Sequence, residues 1–147
     1  MVDPGLFDGI STGRVIETGK FRITAEEIKR FAQEFDPQPM HLDETAAKTG
    51  PFGRLVASGW QTLNLTMRLM VQAKPFGAHP LVGVAVDSVR FHKPVEPNTS
   101  IFAAAKIISK RRSGKQGRGL VKLEVETRDS DTGELLLSQV WTVMLPT

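Results

Sequence analysis

Apolar residues recur at helical spacing in two segments of the first half of the chain. The first runs from Thr24 to Phe35, and Thr24 followed three residues later by Glu27 is typical of a helix start. Its apolar stripe consists of Ile28, Phe31, Ala32 and Phe35. The second segment runs from residue 59 or 60 to about residue 73, and it is apolar over so much of its surface that we expect it to be buried. Its main face carries Trp60, Leu63, Met67, Met70 and Val71, with Leu65 and Leu69 on a flank.

The second half of the chain alternates apolar and polar residues with a period of two, which predicts strands. Four strands are predicted, over residues 81–91, 100–109, 119–129 and 135–145. Turn-rich segments separate them, and connections this short favour an antiparallel meander. Upstream, residues 14–23 predict either a short strand pair or one strand that bends about Gly19.

These elements predict an α+β fold in which the long helix packs against an antiparallel sheet. The 147 residues suit one domain, 1–147, whose residues 1–10 we expect to be a loosely ordered segment. One long helix leaves the outer face and the edges of such a sheet uncovered. We therefore expect the chain to self-associate.

The stretch FDPQPMHLDE, residues 35–44, concentrates titratable side chains where neither a helix nor an ordinary strand is expected. Its two prolines lack a backbone N–H, and each keeps the preceding residue out of the helical region. A turn here can bring Asp36 and His41 to one point, where an acid and a base can share a water molecule and move its protons. In the alternative, structural interpretation, Asp36 ends the preceding helix and His41 binds a backbone carbonyl. Asp43 is better explained as the N-cap of a short helix over ETAAKT.

A second candidate element is LVASGW, residues 55–60, which delivers small residues to the start of the long helix. The free N–H groups of a helix N-terminus suit a carbonyl oxygen that develops negative charge, and Gly59 allows a ligand to approach that backbone closely. Ser58 suits the N-cap position whether or not this helix start binds a ligand. Three polar residues follow on the first turns of this helix: Gln61, Thr62 and Asn64. They could form the polar rim of a pocket, or equally a helix face that contacts solvent or a partner subunit.

Composition narrows the classes of function. The chain has no cysteine, and its three histidines, at positions 41, 79 and 92, lack the spacing of metal ligands, so we expect neither disulfides nor a metal site. No stretch approaches the roughly 18 apolar residues of a membrane span, and the N-terminus lacks the pattern of a secretory leader. We therefore expect a cytoplasmic protein without a membrane partner. Its 19 basic and 16 acidic residues are too balanced to favour nucleic acid as a partner.

One basic run, SKRRSGKQGRG, contains no acidic residue. Its cations are Lys110, Arg111, Arg112, Lys115 and Arg118. The run predicts either a solvated hairpin loop or a contact to an anionic group, for which a phosphate is the best candidate. RNA is a weaker candidate because no aromatic residues interleave with these cations.

Three stretches, TAEEIKRFAQEFDPQPMHLDE, PFGRLVASGW and DSVRFHKPVEPNTSI, together resemble the MaoC-like dehydratases, or (R)-specific enoyl-CoA hydratases, of the hotdog fold. The hallmark of that family is a D-x-x-P-x-H run followed by a turn of small residues and Gly into the central helix. Here these motifs are residues 36–41 and Ala57-Ser58-Gly59-Trp60. The resemblance extends over roughly residues 10–145, and the motifs are specific in combination, although each alone is weak.

The resemblance implies a long helix wrapped by an antiparallel sheet, and a homodimer, or dimer of dimers, with the sheets side by side. It implies an acyl-CoA thioester as substrate, with the CoA carried by the substrate and no separate cofactor. Asp36 as general base and His41 as proton relay would hold a catalytic water, and the Gly59 N–H would polarise the thioester carbonyl. Other residues expected to contact the substrate are Ser58, Trp60, Gln38, Phe52 and Gln61.

Two further expectations follow from this resemblance. A buried apolar wall would raise the pKa of Asp36 towards that of a useful base. The phosphates of CoA, or an acidic acyl-carrier protein, would give the basic run of residues 110–118 a partner.

Two positions depart from many hydratases of that family, which have Asn in place of Gln38 and His-Gly in place of Ser58–Gly59. The Asp36/His41 pair is nevertheless intact, which favours reversible hydration of a 2-enoyl thioester. Two alternatives stay open: a thioesterase on the same fold, whose water attacks the thioester carbonyl, and a non-catalytic acyl-CoA-binding subunit.

Overall fold

In the computed structural model, which describes residues 6–147, five strands and four helices follow one another along the chain. All four helices lie in the N-terminal half, and the regular elements of the C-terminal half are all strands, as the change in periodicity predicts. The elements are β1 (Val15–Arg22), α1 (Ala25–Phe35), α2 (Pro39–Leu42), α3 (Glu44–Ala47), α4 (Gly59–Ala73), β2 (Val82–Phe91), β3 (Ser100–Arg112), β4 (Arg118–Asp129) and β5 (Leu135–Pro146).

All five strands form one antiparallel sheet in the order β1-β3-β4-β5-β2. The predicted meander is correct for β3, β4 and β5 and wrong for β2, which pairs with β5 at the far edge. The connection from β2 to β3 contains two prolines, which cannot donate ladder hydrogen bonds, and it runs past the start of α4, where Ala57 N–H donates to Val95 O at 2.8 Å. Of the two possibilities for residues 14–23, the single bent strand is correct, with a register shift between Glu17 and Lys20.

Helix α1 begins as its sequence predicts. Thr24 accepts a hydrogen bond from Glu27 N–H at 3.2 Å, and its own hydroxyl donates to the Glu27 carboxylate at 2.8 Å. The helix ends where Asp36 N–H donates to Ala32 O. Its apolar stripe is only partly covered, because Ile28 and Ala32 are buried whereas Phe35 is exposed.

Helix α4 packs against the sheet with one face only. The buried face consists of Gln61, Thr62, Leu65, Thr66, Leu69 and Met70. Thr66 satisfies its buried hydroxyl by donating to Thr62 O at 2.8 Å and lies 2.6 Å from the Thr127 hydroxyl of β4. The expectation that the whole helix is buried is therefore wrong, because the sheet reaches only half of its circumference. Trp60, Met67 and Val71 lie on the exposed half.

The segment before β1 is part of the core. Residues 1–5 lie outside the described residues, but residues 6–9 form a turn, and Phe7 and Ile10 are each only 5% exposed. The Phe7 ring rests on Gly119 of β4, where a side chain would collide with it. Lys110 donates to the carbonyl oxygens of Phe7 and Asp8 at 3.0 and 3.1 Å. For residues 6–10 the expectation of a loosely ordered segment is therefore wrong.

Truncating Phe7 to alanine removes a ring that fills the end of the core. We expect Phe7→Ala to lower the free energy of unfolding by about 3 kcal/mol, which is typical for a buried phenylalanine. The measurement is urea denaturation followed by circular dichroism. Asp8→Ala, which removes only an exposed ion pair to Arg112, is the control and should change stability by less than about 1 kcal/mol. Equal effects of the two substitutions would contradict this packing.

Candidate active site

Asp36 and His41 lie together at the junction of α1 and α2. His41 Nε2 is 3.3 Å from Asp36 Oδ2. The backbone turns sharply between them, since Gln38 N–H donates to Asp36 O at 2.8 Å and His41 N–H donates to Gln38 O at 2.9 Å. Pro39 occupies the first position of α2, where its missing N–H costs nothing. The predicted turn is therefore present, and it brings the two side chains to one point.

A backbone carbonyl fixes the orientation of the His41 ring. The ring is buried, and its Nδ1 lies 2.6 Å from Val56 O. Because a carbonyl oxygen only accepts, Nδ1 carries a proton and donates it to Val56 O. In the neutral ring, Nε2 is then the nitrogen with the lone pair, and it is the nitrogen that faces Asp36. The structural interpretation, in which His41 binds a backbone carbonyl, is thus compatible with a chemical role for Nε2.

Two side chains hold the Asp36 carboxylate. The Ser58 hydroxyl donates to Oδ2 at 2.7 Å, and Gln38 Nε2 donates to Oδ1 at 2.6 Å. Burial by itself raises the pKa of Asp36, but the hydrogen bonds from Ser58 and Gln38 and the nearby His41 outweigh it, so the pKa lies below its usual value. The expectation that the environment raises this pKa is wrong. Asp36 is consequently ionised at neutral pH.

The first turn of α4 lies beside this pair. Ser58 is completely buried and caps the helix by accepting from Trp60 N–H at 3.3 Å. The N–H groups of Gln61 and Thr62 reach Ser58 O. Within residues 6–147 this leaves Gly59 N–H as the first-turn amide without an acceptor. The Phe91 ring packs directly on Gly59, and a Cβ at this position would collide with Phe91 Cε1.

A cavity of about 430 Å³ opens onto His41 and Gly59, and we call it the site cavity. The predicted residues Phe52 and Trp60 line it. The predicted residues that do not line it are Asp36, Gln38, Ser58 and Gln61. Gln61 is buried and donates to Glu27 O at 3.1 Å, so it joins α4 to α1. Sequence reasoning missed several lining residues that come from distant segments: Phe91, His92, Lys93, Pro94, Val95, Leu136 and Leu137. Phe91 to Val95 lie in DSVRFHKPVEPNTSI, one of the three stretches that resemble the family, and Leu136 and Leu137 lie at the start of a predicted strand.

The basic run of residues 110–118 lies at the opposite end of the sheet from the site cavity of the same chain. The length of β5 between Leu137 and Pro146, about 30 Å at roughly 3.3 Å per residue, separates the two. Lys110 and Arg112 contact the N-terminal segment through the Phe7 and Asp8 carbonyls and the Asp8 carboxylate. Within one chain, the structure thus does not bring this run to the candidate site.

Neither a metal cluster nor a bilayer-crossing helix is found in residues 6–147. No three His, Asp or Glu side chains converge there in a way that could hold a metal ion. No helix in the same range has the length and apolar character needed to cross a bilayer.

Comparison with known proteins identifies the family. The sequence profile described as "MaoC like domain" matches residues 10–129. The chain belongs to the MaoC-like family. Its sheet and central helix are the hotdog fold of that family, as the motifs of residues 36–41 and 57–60 predict.

Relatives of this MaoC-like protein include characterised and uncharacterised members. It is 35% identical over 104 residues to the uncharacterised protein YdeM of Bacillus subtilis, a match that covers 71% of this chain and 74% of YdeM. It is 33% identical over 107 residues to 3-hydroxyacyl-thioester dehydratase Z of Mycobacterium tuberculosis, covering 71% and 69% of the two chains. The crystal structure of a MaoC-like dehydratase from Rhodospirillum rubrum superposes with a TM-score of 0.90 at 30% identity and covers 96% of each chain.

Ser58→Ala removes one of the two side-chain donors that stabilise the Asp36 carboxylate. Because a hydrogen bond to the charged form lowers a pKa, its loss should raise the pKa of Asp36 in the variant above that in the wild type. The measurement is a titration of the Asp36 carboxyl carbon by NMR between pH 2 and 7. Ser138→Ala, whose hydroxyl contacts His92 instead, is the matched control and should leave that pKa unchanged. A lower pKa in Ser58→Ala would contradict the assigned hydrogen bond.

Proposed function

We propose that this chain catalyses the reversible addition of water to the 2,3 double bond of an enoyl thioester. The observation that carries the proposal is the pairing of His41 Nε2 and Asp36 Oδ2, 3.3 Å apart, beside the N-terminus of α4. One cavity, lined mainly by apolar side chains, contains both His41 and Gly59. This reaction needs a proton acceptor and an oxyanion donor, and His41 and Gly59 offer the two on one small cavity, with the Asp36 carboxylate 3.3 Å from His41 Nε2.

The first step is activation of water. A water molecule that donates hydrogen bonds to both Oδ2 and Nε2 attacks the β-carbon, and its proton passes to the lone pair of Nε2. The low pKa of Asp36 makes this carboxylate a weak base, so we assign to Asp36 the orientation of the water and the stabilisation of the imidazolium. This assignment replaces the general-base role that the resemblance implies for Asp36.

The second step moves the electrons and returns the proton. As the carbon–oxygen bond forms, the π electrons of the conjugated system shift to the thioester oxygen, and the enolate accepts a hydrogen bond from Gly59 N–H at the positive end of α4. The imidazolium then delivers its Nε2 proton to the α-carbon. Atoms and charges balance, because water has added across the double bond and His41 is neutral again. Dehydration follows the same path in reverse.

The other residues of the site position these groups. Ser58 and Gln38 hold the carboxylate, and Phe52 and Trp60 form walls of the cavity. Water and the thioester suffice for the proposed chemistry, so the CoA of the substrate is the only nucleotide we assign. The relative that is named a 3-hydroxyacyl-thioester dehydratase, at 33% identity, supports this substrate class.

We also propose that two copies pair through β2. This edge strand is exposed at every residue except the partly buried Ala85, and its outer backbone groups have no neighbouring strand in the sheet order. Its exposed apolar side chains are Val82, Val84, Val86, Val89 and Phe91. Pairing of two such edges would extend one sheet into the other and give the side-by-side arrangement that the resemblance implies.

The first test is hydration of crotonyl-CoA, followed by loss of the absorbance of its conjugated thioester. We expect turnover by the wild type and losses of about 100-fold or more in kcat for His41→Ala and Asp36→Asn, a typical contribution of a positioned acid–base group. His79→Ala, in a loop outside the site cavity, is the histidine control and should keep wild-type activity. Circular dichroism checks that each variant is folded.

Other outcomes separate the alternatives. Release of free thiol from a saturated acyl-CoA, without hydration of crotonyl-CoA, would indicate a thioesterase. Saturable acyl-CoA binding that survives both substitutions, with no turnover of any thioester, would indicate a binding subunit.

The dimer is tested by light scattering. We expect the wild type to have twice the 16.2 kDa mass of one chain. Val84→Lys should shift the mass towards one chain, because it places a charged side chain in the apolar strand that the pairing would cover. Val15→Lys puts the same charge on the opposite edge strand, β1, and should leave the mass unchanged. A wild type of 16.2 kDa would refute the proposed pairing.

A further inference from the structure

One buried amide nitrogen of the sheet has no hydrogen-bond partner and takes no part in the proposed reaction. Gln139 of β5 is only 2% exposed, and within residues 6–147 its Nε2 is buried and donates to no acceptor. A buried amide without an acceptor costs free energy, because it has lost its hydrogen bonds to water. Buried polar groups are bonded in the great majority of cases, so this amide requires a reason other than the packing of the core.

The Gln139 side chain lies on the face of the sheet that α4 covers. Residues 137, 139 and 141 of β5 are all buried, and alternate residues of a strand share one face. Trp141 belongs to the same core cluster as Met70 of α4, which identifies the face. Leu137 lines the site cavity, whereas Gln139 and Trp141 line a second cavity of about 610 Å³ between α4 and strands β2 and β5. We call this second cavity the α4–β2 groove.

The walls of the α4–β2 groove are uncharged. Among the described residues that line it, none is charged, and the polar ones are Asn64, Gln139 and Thr142. Asn64 is exposed, so water solvates its amide, whereas the Gln139 amide is buried. A carboxylate or a phosphate would find no cation in this groove, and burying it there would be costly. A neutral oxygen atom, by contrast, can accept the hydrogen bond that Gln139 Nε2 has to offer.

The groove adjoins the proposed position of the thioester carbonyl. Trp60 and Phe91 line both the groove and the site cavity. Both also adjoin Gly59, because Trp60 follows it in α4 and the Phe91 ring packs on it. A substituent of the acyl group that extends past these two aromatic side chains therefore comes to the wall that contains Gln139. A plain hydrocarbon would leave the amide unpaired there, whereas an oxygen atom would satisfy it.

We propose that Gln139 is a specificity residue whose amide binds a neutral oxygen, a hydroxyl or a carbonyl, on the acyl group of the substrate. The preferred substrate is then an oxygenated enoyl thioester rather than a plain hydrocarbon or a dicarboxylic one. This inference rests on the proposed hydration of an enoyl thioester. A site built to form a hydrogen bond rejects the analogue that lacks the bonding group, because the buried polar atom then stays unpaired.

The first test compares substrates with the same carbon chain. The probes are trans-2-octenoyl-CoA, its 6-, 7- and 8-hydroxy derivatives, and the mono-CoA thioester of trans-2-octenedioic acid. For the wild type, kcat/KM of the best hydroxy derivative should exceed that of octenoyl-CoA by about tenfold or more, the effect of one buried group left unpaired. The octenedioic thioester should show no such advantage, because the groove offers its carboxylate no cation.

The variant for this test is Gln139→Leu, which removes the amide and keeps a side chain of similar size. It should lower the ratio of kcat/KM between the best hydroxy derivative and octenoyl-CoA to about one. Gln72→Leu is the matched control, since Gln72 is exposed on α4 and does not line the groove, and it should leave the ratio unchanged. Light scattering and circular dichroism check assembly and folding of each variant.

The second test does not depend on turnover. Gln139→Leu and Gln139→Met should be at least as stable as the wild type in urea, because each removes a buried amide that has no partner. The saturated hydroxyoctanoyl-CoAs serve as probes of binding. The best of them should raise the Tm of the wild type more than octanoyl-CoA does, and this difference should disappear in Gln139→Leu.

The outcomes distinguish the two proposals. A Tm difference that Gln139→Leu abolishes, without hydration of any enoyl-CoA, would refute the proposed reaction and support the role of Gln139. Equal hydration of octenoyl-CoA and all its hydroxy derivatives, without a Tm difference, would refute the role of Gln139 and support the reaction. A loss of stability in both Gln139→Leu and Gln139→Met would show that water or a partner subunit already bonds the amide, and would also refute that role.

Discussion

The candidate site depends on the contact between residue 56 and the α2 turn. Val56 O accepts the proton of His41 Nδ1 at 2.6 Å, and Val56 N–H donates to Met40 O at 3.1 Å. These two bonds join the turn after α1 to the segment that leads into α4. The first selects the ring nitrogen that faces Asp36, and together they set the position of Ser58, two residues later. Because His41 and Val56 are both buried, water cannot replace either bond without opening the core.

The core consists of two clusters of buried side chains, which lie at different ends of the molecule. One cluster lies beneath the site and includes Ile28 of α1, Leu65 of α4 and Leu136 of β5. The other includes Phe7, Met70 and Trp141. The basic run belongs to the second end, where Lys110 and Arg112 lie over the Phe7 ring. These cations thus help to cover an aromatic side chain. The amino-acid composition of the run does not distinguish this packing role from phosphate binding.

Local features were predictable and contacts between distant segments were not. Thr24, Glu27 and the two prolines after Asp36 act within a few residues, so the start of α1 and the approach of Asp36 to His41 follow from the sequence. A period of two specifies a strand but not its neighbours, which is why the pairing of β2 with β5 could not be predicted. The direction in which the pKa of Asp36 shifts depends on the Ser58 hydroxyl, 22 residues away. The contact of Phe91 with Gly59 likewise joins segments that no local pattern connects.

The Ser58 hydroxyl performs two tasks with one atom: it accepts from Trp60 N–H and donates to the Asp36 carboxylate. An aspartate at this position would also cap the helix, but it would place a second negative charge against Asp36. Threonine would add a methyl group where the serine is already fully buried. Alanine would lose both hydrogen bonds. None of these three substitutions is therefore neutral, and a laboratory selection for heat tolerance alone should keep the serine over aspartate, threonine or alanine.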